Sequence, residues 1–310
     1  MKICYFDDFR LGVVTDAGVV DVTDVVQDVP HTGPADLISG LIGRFDAYRS
    51  KLEDAAAAGA AKPLDQVRLR PPLPRPGNIA CMAVNYMEDG TLPEPPPKNG
   101  FHKAGTAVIG PGDEMVLPDA PATIFEGEAE LALVIGKRAK NVAAKDAFDH
   151  IFGYMNFIDG SARGLGPARN VFFQVKSRDT FAPIGPWIVT ADEIADPQNL
   201  DVKLWNNGQV MQDFNTSDMA HRIPQVIECI SAMHTLEPGD IVATGTNHRG
   251  LNAFQDGDKV ELEVEGLGRL AISVRDDLKR TWGRETRLQR TEAGFDTPTP
   301  QLTGKYAENA

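Results

Sequence analysis

The chain has 310 residues, 42% of them hydrophobic and 24% charged, enough for one large domain or a main domain with a smaller partner and too apolar for global disorder. Its 31 Lys and Arg against 44 Asp and Glu leave a net charge of −13, which argues against nucleic acid or anionic lipid as partners, because both are repelled and no basic patch offsets the repulsion. Three scattered cysteines, Cys4, Cys81 and Cys229, show no metal-ligand or CxxC spacing, and no apolar run reaches signal-peptide or membrane-spanning length, so a reducing cytoplasm and no membrane are the simplest expectation.

In chain order, alternation over 2–6 and 10–14, the turn Asp16-Ala17-Gly18 and the run 19–25 predict a hairpin of short strands. Leu37, Leu41, Phe45, Tyr48 and Leu52 recur at helical spacing, which predicts a helix over 36–53. The stretch PPLPRPGN at 71–78 then blocks helix and central strand alike, and marks a boundary after a small N-terminal α/β domain, residues 1–72. A second proline cluster, Pro93 and Pro95 to Pro97, predicts an exposed loop suited to a lid. Strands are expected at 106–109, 115–117, 128–136, 185–190, 200–206, 240–244, 259–264 and 270–274, with a short helix at 143–152. The clearest helix is 218–234, where Ile223, Val226, Ile227, Ile230 and Met233 form one apolar stripe. Many strands and few helices predict a β-rich α+β fold rather than alternating βαβ units. A catalytic domain is expected over 76–280, followed by an extended C-terminal tail over 281–310 that lies on the domain surface or on a partner subunit.

Four segments could carry chemistry. In FEGEAELALVIG, Glu126, Glu128 and Glu130 are two apart and share one face of a strand that turns apolar on both faces. Carboxylates at the edge of a core need a cation, and a hard divalent ion fits; a strand with a wet acidic face fits the spacing equally well. In GYMNFIDGSARG, Asp159 lies between an aromatic-rich strand and a small-residue turn, and Arg163 is placed to meet a carboxylate bidentately; a capping Asp beside a surface Arg is the plainer reading. In QVKSRDTFAPIGPW, Lys176 sits in a short strand, and is a surface lysine on that segment alone. In VATGTNHRGL, a strand ends in Thr-Gly-Thr, which offers hydroxyls and backbone N–H groups beside a glycine, with Thr246, His248 and Arg249 as candidates.

Taken together and in this order, the segments resemble the fumarylacetoacetate hydrolase family over about residues 76–275. The resemblance is carried by Asn85-Tyr86, Phe101-x-Lys103, Glu128-x-Glu130-Leu131, Asp159-x-Ser161-Ala162-Arg163, Lys176-Ser177 with Asp179, Gly185-Pro186, Asn207-Gly208 with Gln212 and Thr216, Pro238-Gly239-Asp240, Thr244-Gly245-Thr246 and Gly257-Asp258. It implies a mixed β-roll catalytic domain, usually a homodimer. It also implies Mg²⁺ (sometimes Mn²⁺ or Ca²⁺) held by Glu128, Glu130 and Asp159, and a small-molecule 2-oxo acid substrate near Lys176, Arg163, Thr246, Tyr86 and Gln212. The first expectation is hydrolysis of a C–C bond in an acylpyruvate-like or unsaturated 2-oxo acid through a metal-stabilised enolate. Decarboxylation or isomerisation of a 2-oxo or 2-hydroxy unsaturated dioate is the alternative. One departure stands out. Many members read Asn-Tyr-x-x-His followed by a Glu, and here Asp89 stands at the histidine position, with Leu92 three residues on. The water-activating dyad is absent or replaced, which leaves Asp89, Glu94 or His248 as bases and a non-catalytic metabolite binder as the reading from another class.

Overall fold

The fold is that of a computed structural model, which describes residues 1–166 and 172–307. The N-terminal alternation forms β1 (Lys2–Phe6), β2 (Arg10–Thr15) and β3 (Gly18–Asp21). The expected single helix is two, α1 (Pro34–Ile42) and α2 (Phe45–Ala58), because the chain turns at Gly43 while both helices keep their apolar stripe on the same sheet. Short strands β4 (Ala61–Lys62) and β5 (Leu69–Arg70) precede the proline stretch, and β6 (Ile79–Ala83), β7 (Asn99–Lys103), β8 (Val108–Ile109) and β9 (Glu114–Val116) follow it. Two long strands, β10 (Ile124–Ile135) and β11 (Ile151–Arg163), form the central pair. After α3 (Phe172–Lys176) come β12 (Ala182–Thr190), β13 (Asp201–Asn206), β14 (Gln209–Asn215), α4 (Ile223–Met233), β15 (Ile241–Ala243), β16 (Lys259–Val264) and β17 (Arg269–Arg275), and last β18 (Thr281–Trp282), α5 (Arg287–Glu292) and β19 (Gln301–Thr303).

The strands build a large mixed sheet in the order β4-β3-β2-β1-β12-β11-β10-β15-β6-β7 and a five-stranded sheet in the order β14-β13-β16-β17-β9. β10 and β11 are buried on both faces, so they read as largely apolar runs interrupted by their carboxylates and, in β11, by Asn156, Ser161 and Arg163. Leu131, Leu133 and Ile135 point to the core shared with the five-stranded sheet and α4. Ala132 and Val134 point to the opposite core, shared with β1, β2, α1 and α2. Asn156 clips the two sheets together, donating to the carbonyls of Gly185 and Gly268 and accepting from the Val264 N–H.

The N-terminal segment does not build a sheet of its own. β1 pairs antiparallel with β12, Lys2 opposite Val189, and so extends the central sheet. In α4 the stripe is buried as expected except at its end, where Met233 is 66% exposed, since the helix stops there at the turn into β15. The expected tail is also more ordered than its composition suggests. Thr286 and Gln289 form a reciprocal capping box that starts α5, a Thr-x-x-Gln signal present in the sequence. Residues 308–310 of the tail lie outside the described residues.

Arg280 fastens the tail. Its guanidinium is wholly buried, paired with Asp276, donates to the carbonyls of Pro118 and Ala120, and lies over the rings of Phe125 and Trp282. Arg280→Ala strands the Asp276 charge in the interior, and is expected to cost roughly 3–5 kcal/mol in urea unfolding.

Candidate active site

The acidic row lies where the apolar face of β10 runs out. Glu126, Glu128, Glu130, Ala132 and Val134 alternate onto one face, three carboxylates and then core. Antiparallel pairing sets Glu128 directly opposite Asp159 on β11, so two like charges meet across the strands. Asp159 is therefore a mid-strand residue, not the turn residue expected, because β11 continues to Arg163. Lys176 likewise ends the short helix α3 rather than a strand, and this helix lays it over the carboxylates.

The cations are unevenly shared. Lys176 Nζ bridges Glu128 Oε1 at 2.7 Å and Asp159 Oδ2 at 2.5 Å. Lys103, buried on β7, donates to Asp159 Oδ1 and to the carbonyls of Gly160 and Lys176. Arg163 joins Glu126 at 3.0 Å to Glu128 Oε1. Glu130 touches no cation among the described residues. Its Oε2 accepts the Gly245 N–H at 2.7 Å, and its Oε1 is buried with no hydrogen-bond partner.

Proton affinities follow from this division. Burial pushes the Glu128 carboxyl up, but Lys176, Arg163 and His248 outweigh it and hold it well below the usual carboxylate range. Burial also drives Glu130 up, and here the Asp159 and Glu128 charges add to it, so Glu130 lies well above that range. For Lys176 the burial penalty is overcome by Asp159 and Glu128, which hold the ammonium charged. One oxygen each from Glu128, Glu130 and Asp159 lies within 4.8 Å of the others. A buried carboxylate oxygen without a partner, beside oxygens of two further carboxylates, is a set of hard donors that fits a divalent cation.

A second cluster faces this one from two loops. The segment after β6 is strained: Val84, Glu88, Asp89 and Gly90 all have positive φ, and β-branched Val84 is held there at a cost. This turn aims Glu88 at His248, in the loop after β15. Glu88 Oε2 accepts the His248 N–H at 2.9 Å, and Oε1 is 2.6 Å from Nδ1. A carboxylate only accepts, so Nδ1 is the donor in this contact and Nε2 is the ring nitrogen Glu88 does not engage. Gly245 makes the loop possible. With φ at +90° it brings its N–H to Glu130, and a Cβ there would stand 3.0 Å from that of Asn85.

The other expected residues divide. Asp89 lies beside the pair, but its carboxylate is taken by Asn247 at 3.0 Å and Arg249 at 2.9 Å. Thr246 is buried at the loop, accepting from Gln212. Gln212 is a buried clip, bonded to Ala129 N–H, Thr246 Oγ1 and the Asn247 carbonyl, with no polar atom left for a substrate. Tyr86 is core: its ring packs edge-on to Phe214, and its hydroxyl is buried without a partner. Arg163 is a quarter exposed and reaches the carboxylates. Glu88 escaped sequence reasoning. It stands one residue from the family's histidine position, and only the left-handed turn reveals where it points.

Comparison with known proteins follows the same lines. The family profile described as "Fumarylacetoacetate (FAA) hydrolase C-terminal" matches residues 78–275. A maleylpyruvate hydrolase of Aquipseudomonas alcaligenes is 34% identical over 291 residues, which cover 89% of this chain and 99% of that one. A mitochondrial oxaloacetate tautomerase of Bos taurus is 38% identical over 264 residues, covering 81% of this chain and 82% of that protein. Among solved structures, the maleylpyruvate hydrolase of Sphingobium sp. SYK-6, in complex with manganese(II) ion and pyruvate, superposes with a TM-score of 0.81 at 38% identity, covering 89% of this chain and 99% of that one. No described helix here is long and apolar enough to cross a membrane.

Proposed function

Because this chain belongs to the fumarylacetoacetate hydrolase family, we propose that it is a divalent-metal-dependent hydrolase cleaving a C–C bond in an acylpyruvate-like or unsaturated 2-oxo acid. The observation that carries this reading is the unpartnered Glu130 oxygen, set among Glu128 and Asp159 and close to a tethered histidine. Glu128, Glu130 and Asp159 would hold Mg²⁺, and the same hard oxygens accept Mn²⁺ or Ca²⁺. A bound divalent cation supplies Lewis-acid polarisation of the 2-oxo carboxylate and stabilises the charge released when the bond breaks.

The remaining steps belong to the chain's own residues. Arg163 receives a substrate carboxylate, and Lys176 keeps Glu128 and Asp159 in place while offering its charge to a developing oxyanion. Glu88 fixes the His248 tautomer, and His248 Nε2 takes a proton from water. The hydroxide adds to the acyl carbonyl and the C–C bond breaks, its electron pair leaving as the enolate of a 2-oxo acid beside the new carboxylic acid. His248 then returns the proton to the departing carbon. Asp89, committed to Arg249, takes no part.

The same proton relay without water addition gives tautomerisation, and the likeness to an oxaloacetate tautomerase favours this as the second reading. The test is a panel of acylpyruvates, maleylpyruvate and oxaloacetate with Mg²⁺ or Mn²⁺ against an EDTA control, with products identified by mass. Paired acid and 2-oxo acid products support hydrolysis. Unchanged mass with altered ultraviolet absorbance supports tautomerisation, and a loss of CO₂ indicates decarboxylation. Metal-dependent ligand binding without turnover leaves a metabolite binder.

A further inference from the structure

We propose that Arg287, in the C-terminal segment, is a positioning residue for Arg163, acting through Glu126. The role of Arg163 toward substrate rests on the function proposed above; its placement by Arg287 does not. Glu126 lies on the same strand face as the candidate metal ligands, two residues from Glu128, yet it is not available to an ion. Arg287 grips both its oxygens, Nε to Oε1 at 3.1 Å and Nη2 to Oε2 at 2.6 Å. Arg163 Nε shares Oε2 at 3.0 Å and extends Nη2 to Glu128. The four side chains form one file, Arg287–Glu126–Arg163–Glu128.

Charge explains why the file needs Arg287. Glu126 is 1% exposed. Its two oxygens are held by Arg287 and Arg163 alone, at 2.6 to 3.1 Å, among the described residues. If Arg287 is removed, a buried carboxylate faces one guanidinium alone. The better geometry is then for Arg163 to turn both fork nitrogens onto Glu126 and withdraw from Glu128. Arg287 prevents this by occupying Glu126 from the far side.

Its own position is set by backbone. The Arg287 N–H donates to the Leu251 carbonyl at 2.9 Å, and that of Leu288 to the Arg249 carbonyl at 2.8 Å, next to the loop that carries His248. The Thr286–Gln289 box starts α5 at this point. The segment after residue 275, beyond the stretch matched by the family profile, thus reaches the wall of the site.

The test uses the full chain with Arg287→Ala, Arg287→Gln and Arg287→Lys. KM for the 2-oxo acid substrate is expected to rise roughly tenfold in Arg287→Ala at nearly constant kcat, the size of one weakened charge-assisted contact. Arg287→Lys, which keeps a charge on Glu126, is expected to recover most of it. An unchanged KM, or a fall in kcat alone, overturns the inference. Crystal structures of the wild type and Arg287→Gln decide it without turnover: the Arg163 guanidinium moves off Glu128 if the inference holds, and stays if it does not. A wild type that turns over no 2-oxo acid would sink the proposed function and leave that structural outcome to stand by itself.

Discussion

Glu130→Gln is expected to abolish divalent-metal uptake while leaving the fold intact. Glu128 and Asp159 are each tied to lysine or arginine, so neutralising either strands a buried cation and confuses loss of metal with loss of structure. Glu130 has no such partner. Burial and the Asp159 and Glu128 charges already favour the uncharged carboxyl, so the amide matches it in charge as well as shape and still accepts from the Gly245 N–H. Even outer-shell substitutions weaken metal sites by about 10–100-fold, so loss of a direct ligand should exceed about 100-fold in Mn²⁺ affinity by calorimetry. Wild-type protein in Mn²⁺ at a hundred times its Kd should gain about 2.7 kcal/mol, seen as a melting temperature several degrees higher and reversed by EDTA. Glu130→Gln should melt at the same temperature with and without Mn²⁺. A variant with wild-type affinity removes the metal centre from the proposal.

His248→Ala is the second large effect. Proton transfer by a positioned side chain contributes about 10²–10⁴-fold, and kcat should fall by that amount with Mn²⁺ affinity preserved. Glu88→Gln keeps the shape but weakens the hold on Nδ1, and should lower kcat by a smaller factor. Asp89→Asn loses a half-exposed ion pair with Arg249, worth at most about 1 kcal/mol, or fivefold. The reverse order, Asp89→Asn severe and His248→Ala mild, would return the base to the position the family's histidine occupies.

The central strands and the carboxylate set were legible in the sequence because their signals are local. Period-two spacing puts Glu128 and Glu130 on one face whatever the tertiary fold, and the buried strand IFEGEAELALVI, twelve residues long, begins four residues before the expected 128–136. Asp159 required register, which a single sequence does not print; it was reached through the family resemblance. Lys176 was read as strand because five residues are too few for helical periodicity to appear. Tyr86 and Gln212 were expected at the substrate, but polar side chains that bind a ligand and those that tie loops together look alike until their partners are seen. Glu88 was missed for a different reason: its direction depends on a left-handed backbone that no residue type at 84, 88 or 89 announces.

The pairing of β1 with β12 has a consequence for biosynthesis. Lys2 leaves the ribosome early, whereas Val189 is still untranslated. At about 5–20 residues per second the first strand waits roughly 10–40 s for its neighbour. During that interval β1, β2 and β3 can form their local meander, fold α1 and α2 against one face and receive β5 beside Tyr5 and Phe6, but the β1 edge at Lys2 and Ile3 offers its N–H and C=O groups to any passing chain. Nascent protein should therefore be most prone to aggregate before the ninth decade of residues beyond the first hundred is made, and chaperone demand should fall once β12 emerges.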